Sequence, residues 1–356
     1  MNYVGVDYHK KYSVVTCLDD EGHEIGSKRL DNQAEEFQDF FQDLGGPCQV
    51  VLEASRTWGV MFDLLEELPE VQAVKLAHPL KVRAIAEAKI KTDKIDARTL
   101  AQLLRADLIP AAYIPGKETR HFKEMVRQRV FLVRTRSRLK NRIHVLLDRV
   151  HIPLPSVTDL FGKRGTDYLK KLKLPGVDGE ILREDLKLLE ALNELIKEAE
   201  GEIGKLLGKD PRVERLLTIP GVGPILAVVI ALEIDEIERF LSPGKLAAYA
   251  GLVPSTSSSG GKTFHGKLVP MCNKWLRWAL IEAAWLAIRQ SPYCRTYYEA
   301  HKRHKGSHTA AVALARRLSE IVWHVWKEKR PYEERPLPRP HRLFKTRTAS
   351  AALAAS

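Results

Sequence analysis

The reading of this chain turns on residues 3–19, Tyr3-Val4-Gly5-Val6-Asp7-Tyr8-His9-Lys10-Lys11-Tyr12-Ser13-Val14-Val15-Thr16-Cys17-Leu18-Asp19. Val4, Val6, Val14, Val15 and Leu18 make two short strands, and the break between them carries Asp7, His9 and two lysines. A carboxylate beside Val6 is costly to desolvate unless something pairs it. Asp7 therefore either caps the turn or ligates a cation. Asp19-Asp20-Glu21-Gly22 turns the chain into a third strand, near Glu24 to Leu30.

Working outward, Ala34 to Leu44 has helical spacing and Gly45-Gly46-Pro47 ends it. Cys48 to Ala54 is a strand that delivers Glu53 at its C-terminal end, Met61 to Leu68 a helix, and Val71 to Leu76 another strand. This alternation argues for an α/β sheet with crossovers, and such sheets bind ligands beyond the C-terminal ends of their strands, where Glu53 lies. Lys81 to Leu104 reads as one helix. Asp93 and Asp96, three apart, share a face of it. Their repulsion is a cost that a bound divalent cation would reverse. Lys91, Lys94 and Arg98 are either counter-charges or a rim for a phosphate backbone.

From Lys117 to Arg149 eleven basic residues are interleaved with Phe122, Val126, Leu132, Leu139, Ile143, Leu146 and Leu147. This is a basic amphipathic helix, with Arg134, Arg138 and Arg142 as candidate nucleic-acid contacts. After a connector from Val150 to Gly165, Asp178 to Leu207 is a second long helix with an acidic face. The two apolar seams imply an antiparallel hairpin, either a coiled-coil arm that helps dimerise the chain or ordinary core packing. Ile219-Pro220-Gly221-Val222-Gly223-Pro224 then precedes an apolar helix. Backbone N–H groups at Gly221 and Gly223 could hold a phosphate in a helix-hairpin-helix-like motif, or the turn is a plain corner.

Ser242 to Leu252 is a further helix. The Ser- and Gly-rich run from Ser255 to Gly261 reads as a flexible loop followed by Lys262, His265 and Lys267. It is either a surface linker or a source of a serine nucleophile with cations to stabilise phosphoryl oxygens. Cys272 to Gln290 and His301 to Val325 are the last two helices, and a basic, Pro-bearing tail follows.

Composition fits a polyanionic partner. Lys and Arg outnumber Asp and Glu by 57 to 45 over 356 residues, a formal net charge of +12. Hydrophobic residues at 44% exclude a mostly disordered chain. The longest apolar run, Ile225 to Leu232, is far short of the about 20 residues that span a bilayer. Four scattered cysteines and an N-terminus without a signal-peptide pattern predict an intracellular protein without a membrane partner.

With these stretches read, residues 2 to 330 resemble the DEDD transposases of bacterial and archaeal insertion sequences, the bridge-RNA-guided recombinases. The first signature is Gly5-Val6-Asp7, Leu52-Glu53-Ala54 and Lys91-Thr92-Asp93-Lys94-Ile95-Asp96-Ala97. The second is Ile219 to Pro224, Arg239-Phe240, Leu246 to Pro254, Ser259-Gly260, and Asn273 with Leu276-Arg277. The family's Lys-x-Gly unit before the asparagine is here Pro270-Met271-Cys272.

The resemblance implies an α/β, RNase H-like (RuvC-like) catalytic domain at 1–115. It further implies a helical coiled-coil arm and connector at 116–210, a mainly helical C-terminal transposase domain at 211–330, and a basic, poorly ordered tail at 331–356. Asp7, Glu53, Asp93 and Asp96 would bind magnesium, or manganese in its place, and Ser259 would attack the phosphodiester, with Ser257 and Ser258 as the alternatives of register. Gly221, Gly223, Lys262, Lys267 and Arg277 join the arginines and lysines above as nucleic-acid contacts. Partners would be double-stranded DNA, a structured non-coding guide RNA and further copies of the chain, a dimer assembling to a tetramer, at a prokaryotic nucleoid. A junction-resolving metal nuclease without a covalent intermediate, or a catalytically idle nucleic-acid-binding relative, are the competing readings.

Overall fold

The computed structural model describes residues 1–55, 57–86, 92–207, 210–259 and 261–334, without the side chains of 206, 207, 257, 259, 262, 263 and 265. Lys91 and the tail beyond 334 lie outside the described residues. The chain divides into two compact units, Met1–Pro115 and Gly116–Ser356.

The first unit is a mixed α/β domain. Its strands are β1 (Asn2–Tyr8), β2 (Tyr12–Leu18), β3 (Glu24–Asp31), β4 (Cys48–Glu53) and β5 (Val71–Ala77), ordered β3-β2-β1-β4-β5. The β1–β2 and β2–β3 pairs are antiparallel, whereas β4 lies parallel to β1 and to β5. Parallel neighbours need crossovers, and helices α1 (Ala34–Asp43) and α2 (Trp58–Glu66) supply them. Phe37, Phe40 and Phe41 of α1 and Met61, Phe62 and Leu65 of α2 pack with Val4, Val6, Val50 and Leu52. The alternate strand positions face the other way, where Val51 and Ala77 pack with Leu100 and Leu104.

That other face is covered by α4, and here one expectation is corrected. The stretch from Lys81 to Leu104 is not one helix but α3 (Pro79–Ile85) and α4 (Asp93–Arg105). Ala86 and Thr92 are both extended, and the Thr92 hydroxyl accepts from the Ile95 N–H as a new N-cap.

The second unit is mainly helical. Helices α5 (Lys117–Arg149) and α7 (Val177–Leu207) run antiparallel, because partners descend along one as they ascend along the other. Arg129 pairs with Glu200, Arg136 with Asn193 at 3.1 Å, Arg142 with Asp185 at 2.9 Å, and Arg149 with Asp178. The exposed pairs among these, such as Arg149–Asp178, contribute only about 0.2–1 kcal/mol each. The seam of Leu132, Leu139, Ile143 and Leu147 against Leu182, Leu186, Leu189 and Ile196, at roughly 1.5–3 kcal/mol per buried side chain, holds the helices together. A short helix missing from the sequence reading, α6 (Lys163–Lys171), packs Leu169 into the same seam.

The remaining core gathers α8 (Pro211–Leu217), α9 (Pro224–Ile234), α10 (Pro243–Tyr249), α11 (Lys274–Gln290), α12 (Pro292–Lys305) and α13 (Ser307–Lys327). Every residue of α9 from Leu226 to Ile234 is buried, as befits a helix apolar all round. The expected single helix from His301 to Val325 is instead divided by Gly306 at φ +78, a conformation that ends α12. The Ser-rich segment, expected as a flexible loop, is an antiparallel hairpin of β6 (Pro254–Ser259) and β7 (Lys262–Leu268). Among the described residues no helix is long and apolar enough to cross a membrane.

Candidate functional site

The site begins with a missing side chain. A Cβ on Gly5 would lie 2.0 Å from the Ala97 carbonyl oxygen and 2.7 Å from the Ala101 nitrogen, so α4 rests with its backbone on β1. This approach brings the first turn of α4, with Asp93 and Asp96, toward the C-terminal end of β1. Alternation along the strands puts Asp7 on the same face as Gly5, and Glu53 on the face of Val51. Val6 pairs with Leu52, so Asp7 and Glu53 leave adjacent parallel strands at one level. The N-terminal end of a helix also favours the two carboxylates of α4.

His9 joins this group. Its Nε2 lies 3.1 Å from Asp7 Oδ2 and 3.3 Å from Asp93 Oδ2, between the two carboxylates. The Tyr12 hydroxyl donates to the same Asp93 Oδ2 at 3.0 Å, and the Arg29 guanidinium lies 3.7 Å over the Tyr12 ring. Asn32 braces the turn that carries His9: its Nδ2 donates to the His9 carbonyl at 2.7 Å and its Oδ1 accepts from Ser13 at 2.7 Å. Burial raises the Asp7 carboxyl above its ordinary range. His9 opposes this, and the charges of Asp93 and Asp96 add to it.

Ligand atoms of Asp7, His9 and Asp93 all lie within 4.8 Å of one another, close enough for one metal ion. Carboxylate oxygens suit magnesium or manganese, whereas an imidazole nitrogen is a ligand more usual for transition metals. Asp96 lies near enough to raise Asp7 electrostatically, and Glu53 is half-buried at the end of β4. His9 and Tyr12 were missed in the sequence. The signal for His9 was its place in the short turn after β1, two positions beyond Asp7.

The other expected residues are distributed as follows. Lys94 and Arg98 pair with Glu24 of β3 at 2.8 and 3.3 Å. Arg134 and Arg138 are exposed on α5, and Arg134 lies 5.6 Å over the Trp275 ring. Gly221, at φ +81, donates its N–H to Gln290 Oε1 at 2.7 Å and is pressed against α11, where a Cβ would meet the Ala283 carbonyl at 2.1 Å. Gly223 is the N-cap of α9, with open space around it. Ser259 pairs with Lys262 across a two-residue Gly260-Gly261 connection, and Thr256 pairs with His265. Lys267 is exposed on β7, while Arg277 donates to the backbone carbonyls of Ala250, Gly251 and Val269.

The first unit thus sets a cluster that could hold a divalent cation beside the central strand of a mixed sheet. Comparison with known proteins gives the family. Residues 4–152 match a family model described as a transposase, and residues 213–299 match the transposase IS116/IS110/IS902 family. A probable family 20 transposase of Pseudomonas aeruginosa is 29% identical over 340 residues, covering 91% of this chain and 96% of the relative. The transposase for insertion sequence element IS1328 of Yersinia enterocolitica is 27% identical, covering 90% and 96%. The chain belongs to this insertion-sequence transposase family and is an enzyme of DNA recombination.

The Gly5 contact makes a prediction. Gly5→Ala is expected to cost roughly 1–3 kcal/mol of stability, because helix backbone cannot yield as a side-chain tip does. Strand cleavage should fall further than stability does, since a displaced α4 carries Asp93 and Asp96 with it. Urea unfolding checks the first effect, and an unchanged midpoint would show that α4 does not bear on Gly5.

Proposed function

We propose that this transposase is RNA-guided and cleaves and exchanges strands of double-stranded DNA through a transient phosphoserine link. The observation that carries the reading is the gathering of Asp7, His9 and Asp93 on the α4 face of the sheet. The strand order and the helix on the acid-bearing face support an RNase H-like, RuvC-like domain. Asp7, Glu53, Asp93 and Asp96 would hold magnesium, which when bound supplies charge neutralisation at the scissile phosphate.

Ser259 would form the Oγ–P bond as the P–O bond to a deoxyribose oxygen breaks, and the proton lost from Oγ ends on that leaving oxygen. The phosphodiester energy is kept for rejoining, as recombination requires. The α5–α7 hairpin would serve as the dimerising coiled-coil arm, and the Gly221–Gly223 turn would act as a helix-hairpin-helix-like contact, chiefly through Gly223. Guidance is tested by isolating the protein from cells and sequencing its nuclease-protected nucleic acid. A discrete RNA transcribed from DNA flanking the gene is expected. Protein that carries no such RNA yet recombines would overturn guidance.

A second prediction concerns α5. Arg134→Glu and Arg138→Glu are expected to weaken nucleic-acid binding broadly and lower the log–log salt slope by roughly 1 unit per lost phosphate contact. Arg142→Glu should also destabilise the chain, because it faces Asp185. Salt-dependent binding curves with unchanged slope would direct this face elsewhere.

A further inference from the structure

The β6–β7 hairpin leaves the helical core after Gly251 and returns at Val269, and one side chain holds both ends. Arg277, in the first turn of α11, donates from Nε to the Ala250 carbonyl at 3.2 Å. Its Nη2 donates to the Gly251 carbonyl at 2.8 Å and to the Val269 carbonyl. The sequence makes room for this fork. Gly251 sits at φ +66, and a Cβ there would lie 2.0 Å from Arg277 Nη2.

α11 is itself fixed at that end. Asn273 caps it, Oδ1 accepting from the N–H groups of Trp275 and Leu276 at 3.1 and 2.9 Å. The Asn273 Nδ2 donates to the Tyr249 hydroxyl at 3.0 Å and to Glu233 Oε2 at 2.8 Å. Glu233 is 5% exposed within the apolar helix α9, where Lys123 at 3.3 Å and Arg127 at 3.1 Å balance its charge. A buried carboxylate held by two cations and an amide is expensive to rearrange. The hairpin is therefore tied, through Arg277 and Asn273, to a part of the molecule that resists movement.

We propose that Arg277 is a positioning residue for the serine hairpin: it latches both hairpin ends to α11 and makes no phosphate contact. Turning it toward DNA would take its guanidinium away from all three carbonyls, a cost that an exposed phosphate contact does not carry. The proposal rests on the reading of Ser259 as nucleophile.

The test uses full-length protein and three readouts: hydrogen exchange of β6 and β7 amides, salt-dependent binding of a mixed-sequence DNA duplex, and excision of the element from a plasmid bearing it with its native flanks. Arg277→Ala should speed hairpin exchange by about tenfold or more and cut excision about 100-fold, as a misplaced reacting group does. Duplex affinity should stay within about twofold and the salt slope unchanged. Arg277→Lys keeps the charge but not the planar fork, so excision should fall at least about tenfold in this milder variant too.

A salt slope lowered by about 1 unit, full excision by Arg277→Lys, or hairpin amides protected as in wild type would each overturn the latch. Ser259→Ala is run beside them. If it still excises, the nucleophile reading fails whatever Arg277 does. If it is inactive while Arg277→Ala excises normally, the positioning role alone fails.

Discussion

Asp7→Asn is expected to reduce strand cleavage by about 1000-fold or more, a loss of roughly 4 kcal/mol of transition-state stabilisation, while the chain still folds. Asp93→Asn, Asp96→Asn and Glu53→Gln should do the same. The argument is electrostatic. Asp7 is partly buried and faces the negative charge of Asp93 and Asp96, and these influences outweigh the favourable one of His9. Its carboxyl therefore titrates above the ordinary range, which means that the fold holds this proton more tightly than the unfolded chain does. Stability accordingly falls as pH rises through the carboxylate range, and at neutral pH the ionised Asp7 is a cost.

Asparagine removes that cost, so the Tm of Asp7→Asn at pH 7 should equal or exceed that of wild type, an advantage that vanishes in acid where Asp7 is protonated anyway. Added magnesium or manganese should raise the wild-type Tm, and chelation should reverse the gain. Asp7→Asn should respond less. Wild-type cleavage by any of the four variants in magnesium would remove that residue from the site, and a large fall in Tm would give it a structural role instead.

How far the sequence could carry this site depends on the range of the interactions. Asp7 and Asp93, two of the three residues whose ligand atoms the structure gathers, were legible because one sits near the end of a strand and the other in a helical stretch that local pattern defines. The broken helix after Ile85 was harder, since its evidence was a single capping threonine, Thr92, inside an otherwise helical pattern. The stop at Gly306 has a clearer local signal: Lys302 to Lys305 followed by glycine is the ordinary end of a helix.

Gly260-Gly261 likewise marks a two-residue hairpin connection, but the serines around it have weak strand propensity and composition pointed to a linker. Glu233 was beyond local reasoning altogether. A charge at the end of an apolar run tells that a partner is needed, yet Lys123, Arg127 and Asn273 lie 40 or more positions away. The same holds for Arg277, whose charge read as a phosphate contact and whose acceptors are three carbonyls of its own chain.

Ser259→Ala is expected to eliminate cleavage and exchange, again by about 1000-fold or more, with RNA and DNA binding near wild type because one hydroxyl adds little contact energy. A serine nucleophile on a hairpin differs physically from one on a loose linker. The ladder pairs Ser259 with Lys262 and Ser258 with Thr263, so the backbone on either side of the Gly260-Gly261 connection is constrained in register. Constraint is what an attacking oxygen needs, since its advantage over water is orientation. Water should not replace the lost hydroxyl efficiently in a site arranged to hold a phosphodiester for rejoining. The pairing of His265 with Thr256 leaves it three positions from the Ser259–Lys262 pair along the ladder, so His265→Ala should reduce activity far less than Ser259→Ala. The measurement is incubation of the protein, its co-purified nucleic acid and magnesium with labelled element-end DNA, followed by denaturing electrophoresis and peptide mapping of protein-linked DNA. An adduct on Ser259 that disappears in Asp7→Asn would join the acidic site and the hairpin in one reaction. An adduct on Ser257 or Ser258 would move the nucleophile along the strand and keep the chemistry. Efficient cleavage by the alanine variants of Ser257, Ser258 and Ser259 alike, with no adduct, would leave hydrolysis at the acidic site as the reaction.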